Sequence, residues 1–155
     1  MQSSPAHREA RLSARPRTDV DTIDAGLHPL ALDPARDSYL YVPESARGHA
    51  APAVLMLHGA GGHAHHGLAV LRELADAHGA ILIAPASRGS SWDVIRGGFG
   101  PDVALIDRAL EIAFERCAVD PARVAIGGFS DGASYALSLG ITNGALFTHI
   151  LAFSP

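Results

Sequence analysis

An α/β domain, with a mostly parallel central sheet and helices on both faces, is the fold class that this sequence predicts, on three grounds. Continuously apolar runs such as Ala53-Val54-Leu55-Met56-Leu57 and Ala80-Ile81-Leu82-Ile83-Ala84 have no polar face, as suits strands covered on both sides. Apolar residues at helical spacing follow each run, so strands and helices alternate along the chain. Finally, Gly128-Phe129-Ser130-Asp131-Gly132 joins the apolar run Val124-Ala125-Ile126 to a helix-compatible stretch at 133–139, as a sharp turn from strand to helix does.

Residues 1–26 mix Ser, Ala, Pro, Arg and Asp without an apolar period, and read as a flexible N-terminal tail ahead of one domain at 27–155. The tail's basic half, 8–17, reads as a solvated segment and not as a contact for lipid or nucleic acid. Between 27 and 43 the bursts Leu30-Ala31-Leu32 and Tyr39-Leu40-Tyr41-Val42, separated by Asp33-Pro34-Ala35-Arg36-Asp37, predict two short strands joined by a turn. A surface loop at 44–52 leads into the strand at 53–57, which ends in His58-Gly59-Ala60-Gly61-Gly62. Leu68, Leu71, Leu74 and Ala75 then recur at helical spacing until Gly79 closes the helix. The strand at 80–84 stops at Pro85, and 86–100 is a long polar loop carrying Ser87, Arg88, Ser90, Trp92 and Asp93. Long loops in compact α/β domains are more often functional than idle. Pro101 suits the first turn of the next helix, whose buried stripe is Val103, Ile106, Leu110, Ala113, Phe114 and Cys117. Asp120-Pro121-Ala122-Arg123 is the turn into the strand that carries Ser130. Beyond the following helix, 140–144 breaks the pattern, and 148–153 reads as one more strand before Ser154-Pro155.

Composition narrows the classes of function. A chain of 155 residues, 48% hydrophobic and 18% charged, is a soluble globular protein with a sizeable core, neither disordered nor collagen-like. The formal charge of −4, with basic residues dispersed outside the N-terminus, argues against a nucleic-acid partner. All 12 basic residues are arginine, which reflects the bias of the source and not a function. The single cysteine, Cys117, has no internal disulfide partner and reads as a small buried hydrophobe. Neither a signal-peptide core nor a run of membrane-spanning length is present, so no stable membrane insertion is expected and a cytoplasmic location follows by default.

Sites in parallel sheets gather at the carboxyl ends of the strands. Residues 58–62, 85–98, Ser130 and Ser154 all follow strand ends and are expected on one rim. A serine at the tip of a strand-turn-helix sits in strained backbone with its hydroxyl exposed, and Gly128 and Gly132 are needed where the chain folds back on itself. Ser130 is therefore the candidate nucleophile, at a helix N-terminus that favours developing negative charge. His63, His65 and His66 have neither a helical i, i+4 pair nor a cysteine partner, so they read as a polar loop and no metal site is expected. The glycine run 59–62 lacks the lysine and the spacing of a nucleotide-binding loop.

Taken together, Leu57-His58-Gly59-Ala60-Gly61-Gly62, Ser91-Trp92-Asp93-Val94, Asp120-Pro121-Ala122-Arg123-Val124, Gly128-Phe129-Ser130-Asp131-Gly132 and Phe153-Ser154-Pro155 resemble the α/β-hydrolase superfamily. Within it, they are most similar to the bacterial phospholipase/carboxylesterase type of serine esterase. The resemblance implies hydrolysis of small carboxylic esters through an acyl-enzyme on Ser130, without a cofactor. It makes the backbone N–H of Asp131 one oxyanion donor and that of Ala60 the second, with Gly61 as the alternative to Ala60. His58 would brace that loop. His58, Gly61, Trp92 and Asp93 are candidates for the substrate pocket, with packing of the loop as the competing role for Trp92 and Asp93. The fold's triad runs in the order Ser, Asp or Glu, His, yet no carboxylate follows Asp131 and the only later histidine, His149, opens a strand at the far rim. The expectation is thus the N-terminal part of a hydrolase, lacking its C-terminal strands and helices together with the acid and base. A non-catalytic remnant or binding module with an exposed sheet edge is the alternative. That edge, the last strand, is expected to invite self-association.

Overall fold

A computed structural model describes residues 2–155. Its strands are Gly26–Pro29 (β1), Tyr39–Val42 (β2), Ala51–Leu57 (β3), Ile81–Ala84 (β4), Val119–Phe129 (β5) and His149–Phe153 (β6). They form one sheet in the order β1-β2-β4-β3-β5-β6, parallel from β4 to β6 and antiparallel where β1 and β2 join the β4 edge. The helices are a single turn at Pro5–Arg8 (α1), then Ala64–His78 (α2), Pro101–Arg116 (α3) and Asp131–Thr142 (α4). Among the described residues, no helix is long and apolar enough to cross a membrane.

The absence of a polar face on the inner strands follows from the layering. Leu55 and Leu57 of β3 and Ile81 and Ile83 of β4 point into one core with α3 and α4, through Ile106, Leu110, Tyr135 and Leu139. The alternate residues Met56 and Leu82 point into a second core with Leu68, Leu71 and Ala75 of α2. Successive side chains on a strand face opposite sides, so a sheet covered on both needs apolar residues at every position. Helix α2 ends where Gly79 adopts a left-handed conformation (φ 69°, ψ 36°) and its N–H caps the Ala75 carbonyl at 2.8 Å.

Three expectations are corrected in detail. The ladder of β5 on β3 starts at Val119, before the Asp120-Arg123 turn, which bulges out of the strand and is closed by Ala122 N–H and the Arg123 guanidinium on the Asp120 carboxylate. Cys117 is the residue after α3 and not part of its stripe; it is still fully buried, and burial pushes its thiol up to about 11. The first strand forms at Gly26–Pro29 instead of 30–32, because Ala31 turns to φ 52° and sends Leu30 into the core.

The predicted tail is the larger correction. Met1 lies outside the described residues, but Ala10, Leu12 and Ala14 belong to the core. Asn143 accepts from Leu12 N–H at 2.9 Å and donates to the Ala10 carbonyl at 2.7 Å. The buried Asp107 carboxylate accepts from the amides of Ser13 and Ala14, the Ser13 hydroxyl and the His7 ring. Burial alone would raise the Asp107 pKa, yet these four donors outweigh it and hold the carboxyl below its ordinary value. Ala10 turns inward at φ 60°, and Leu12 and Ala14 then alternate into the core along the strap that follows.

Candidate active site

The centre of the site is the turn between β5 and α4. Ser130 holds φ 55° and ψ −118°, a conformation that costs about 1–3 kcal/mol for a residue with a side chain. Tight packing on both sides enforces it. A Cβ on Gly128 would lie 2.2 Å from the Gly132 carbonyl, and one on Gly132 would lie 2.2 Å from the Leu57 carbonyl oxygen. The two glycines thus let α4 sit directly on the ends of β3 and β5. Ser130 N–H donates to Phe153 O at 2.9 Å, which ties the turn to the end of β6. Ser130 is partly exposed, and its hydroxyl has no hydrogen-bond partner among the described residues. Asp131 is the first residue of α4, so its N–H has no acceptor within the helix and points along the positive end of the helix dipole.

The loop after β3 meets this turn. A Cβ on Gly59 would stand 3.3 Å from the Phe129 carbonyl oxygen and 3.6 Å from Ser130 Cβ. Inside the loop, Gly62 N–H donates to Gly59 O at 3.1 Å and Gly61 N–H donates outward to Ser90 O at 2.6 Å. The Gly61 amide is therefore engaged, whereas that of the exposed Ala60 has no partner among the described residues. Gly61 holds φ 71°, which a side chain would strain.

His58 is buried beneath the loop. Its Nδ1–H donates to Gly59 O at 2.7 Å and its Nε2 accepts from Ser87 N–H at 2.9 Å. Burial pulls its pKa down to about 4, so the imidazole is neutral with its one acceptor lone pair occupied. It braces the loop, and it does not line a pocket or accept a proton from Ser130. Trp92 is likewise corrected as a pocket residue. It is fully buried, donates its indole N–H to the His58 carbonyl at 2.8 Å, and stacks on Tyr135 with centroids 5.3 Å apart. Asp93 takes the Tyr135 hydroxyl at 2.7 Å and the amides of Gly100 and Asp102 at 2.9 Å. Asp102 returns the bond by accepting from Asp93 N–H and also from Arg88 N–H, both at 2.8 Å; burial, ahead of its other influences, raises its pKa. Asp93 thus folds the 86–100 loop, and it also borders a cavity of about 490 Å³ together with Arg88, Ser91 and Asp33.

The Asp131 carboxylate points away from the turn and accepts the Ser91 hydroxyl at 2.7 Å. Strand-end segments after β3, β4, β5 and β6 are thereby linked on one rim. His149 stands at the opposite end of β6, paired with Ala125 while Phe153 pairs with Phe129, which puts it roughly 13 Å along the sheet from the turn. The histidines at 63, 65 and 66 pack on one another and on Tyr39, and no trio of metal-ligating groups occurs among the described residues. Tyr135, Asp102 and Arg36 belong to no motif in the sequence, and the fold alone brings them to their partners: Tyr135 lies 42 residues from Asp93, Arg36 lies 26 and 53 residues from Gly62 and Gly89, and Asp102 lies 9 and 14 residues from Asp93 and Arg88.

No protein-family model and no curated protein matches the chain. Solved structures do. A thermostable esterase superposes with a TM-score of 0.64 at 21% identity, over 83% of this chain and 40% of its own. An acetyl xylan esterase from Aspergillus awamori gives 0.61 at 21% identity, over 83% of this chain and 53% of its own. A fluorophosphonate-binding serine hydrolase of Staphylococcus aureus gives 0.54 at 16% identity, over 84% and 57%. The chain therefore has an α/β-hydrolase fold and spans about half the length of the structures it resembles.

Proposed function

We propose that this chain carries the nucleophile and oxyanion hole of a serine esterase, with Ser130 forming an acyl-enzyme. The strained, partly exposed Ser130 at the N-terminus of α4, packed against Gly59 of the loop after β3, is the observation that supports the reading. Ser130 Oγ attacks the ester carbonyl carbon, the carbonyl π electrons move to oxygen, and the N–H groups of Asp131 and Ala60 hold the resulting oxyanion. Collapse expels the alcohol, and water then releases the acid. Each donor of this kind is worth about 3–4 kcal/mol of transition-state stabilisation. Gly61, the alternative donor, has its amide directed to Ser90 O.

Serine also needs a base to take its proton. Among the described histidines, the buried His58 has both ring nitrogens bonded and His149 sits at the far rim. We assign the base and its orienting carboxylate to residues beyond these 155, in cis or on a second chain. The motifs around His58 and Ser130 favour the phospholipase/carboxylesterase type, acting on small esters. Fluorophosphonate labelling of this chain and of a polypeptide extended past Pro155 tests the proposal. Labelling of the extended form that Ser130→Ala abolishes is the expected result, and an unlabelled extended form rejects it.

A second reading, a non-catalytic binding module, is favoured by the bare Ser130 hydroxyl. Hydrolysis of a p-nitrophenyl ester by the 155-residue chain, lost in Ser130→Ala, would eliminate it. In the 155-residue chain taken alone β6 is a sheet edge with Phe153 exposed, and we expect that chain to self-associate there, read by sedimentation across a concentration series.

A further inference from the structure

We propose that Arg36 is a positioning residue for the oxyanion loop, its guanidinium locking residues 59–62 to the 89–91 segment and, through that segment, to the nucleophile turn. The inference rests on the esterase reading of Ser130. Arg36 comes from a fixed turn, in which Asp33 accepts from Ala35 N–H through its side chain and from Arg36 N–H through its carbonyl. From there the half-buried side chain crosses to two backbone carbonyls. Nη1 donates to Gly89 O at 2.6 Å, and Nη2 donates to Gly62 O. Among the described residues no carboxylate pairs with this guanidinium, so its hydrogen bonds are spent on those loops.

The placement of these bonds is informative. Gly62 follows Gly61 and Gly89 precedes Ser90, and Gly61 N–H donates to Ser90 O. Arg36 therefore grips both sides of the Gly61–Ser90 hydrogen bond that joins the two segments. The next residue, Ser91, donates to the Asp131 carboxylate, so a single run of backbone registers both oxyanion donors, Ala60 and Asp131, against each other. Such a brace is needed because three of the four loop residues are glycine, which has the most conformational freedom to lose. Oxyanion donors act only when aimed within hydrogen-bond distance of the charge that develops in the transition state. A loosened loop loses that aim while ground-state binding of the ester is little changed, so the effect belongs in kcat and not in KM.

The test compares Arg36→Ala and Arg36→Lys with the parent chain by two independent readouts. The first is amide hydrogen exchange of Gly61 and Gly62, which needs no catalysis. The second is Ser130-dependent p-nitrophenyl ester turnover, or the rate of fluorophosphonate labelling, in the most active form of the protein. We expect Gly61 exchange to accelerate at least tenfold in Arg36→Ala and kcat to fall roughly 10- to 100-fold, less than on deleting a donor outright. KM should stay within about twofold, as lost transition-state stabilisation requires. Arg36→Lys should recover part of the exchange protection, since an ammonium reaches one carbonyl but cannot fork to two. Millimolar guanidinium should restore turnover in Arg36→Ala. Unchanged Gly61 exchange overturns the proposal, as does a loss that appears only in KM. Faster Gly61 exchange in Arg36→Ala, with no Ser130-dependent labelling or turnover in the polypeptide extended past Pro155, upholds the brace and rejects the esterase reading, so the two failures are distinct.

Discussion

Replacing Gly132 with alanine tests the geometry on which the nucleophile turn depends. The new methyl would sit 2.2 Å from the Leu57 carbonyl oxygen and 2.5 Å from that of His58, where real Cβ contacts essentially never fall below 3.0 Å. Neither neighbour can rotate away, because both are backbone atoms, and the His58 carbonyl is also held by the Trp92 indole. The end of β3 and the start of α4 must therefore separate by at least 0.8 Å, the difference between those first and last distances. Overpacking of this kind costs about 3 kcal/mol at the upper end of its usual range. The better helix propensity of alanine returns up to about 1 kcal/mol of it. The net loss of about 2 kcal/mol lowers Tm by roughly 4–8 °C in a domain of this size. Opening the junction also swings the Asp131 amide off its aim, so labelling of Ser130 should slow. Gly144→Ala is the control, since a Cβ there meets nothing within 4 Å and the expected change is under about 0.5 kcal/mol. Thermal melts of both variants by circular dichroism decide the matter. If Gly132→Ala melts with Gly144→Ala, helix α4 does not press on β3 and the turn at Ser130 is not forced by that contact.

Three more outcomes follow from the same structure. His58 should remain neutral down to about pH 4, where an exposed imidazole titrates near 6.5. Between those values the unfolded chain binds a proton that the folded one refuses, so His58 favours folding above pH 6.5 and loses up to about 3 kcal/mol as pH falls through the folded value. An NMR titration of the ring that gives a midpoint near 6.5 would contradict its burial. Trp92→Phe leaves the His58 carbonyl without the indole N–H and opens space beside Tyr135, at a cost of about 2–4 kcal/mol in urea unfolding, while KM for a small ester is unchanged. A raised KM with full stability would restore Trp92 to the pocket. Asp107→Ala strands the Ser13 and Ala14 amides and should release the strap, so that exchange protection at 12–14 disappears and trypsin cuts after Arg11. Protection equal to the parent's would mean that the strap is held by its apolar face alone.

What the residues by themselves determined is local. Strands β3 and β4 were legible because a run such as Ile81-Leu82-Ile83 has nowhere polar to face, and the turn at Ser130 because Gly128 and Gly132 are steric requirements of a single short fold-back. Helix α2 announced its end through Gly79, whose left-handed backbone is likewise a property of one residue. The rest turned on partners distant in sequence, which tertiary structure alone brings together. The strap at 10–14 looked like a polar tail because its receptors, Asp107 and Asn143, lie roughly a hundred residues on. Trp92 faces inward because the His58 carbonyl, 34 residues away, takes its N–H. Of the amides of Ala60 and Gly61, the carbonyl of Ser90, about 30 residues on, engages that of Gly61 and leaves that of Ala60 without a partner among the described residues. Steric rules act between chain neighbours and are written in the sequence; the direction of a side chain or an amide depends on which distant group waits to receive it, and that is settled only when the sheet has assembled.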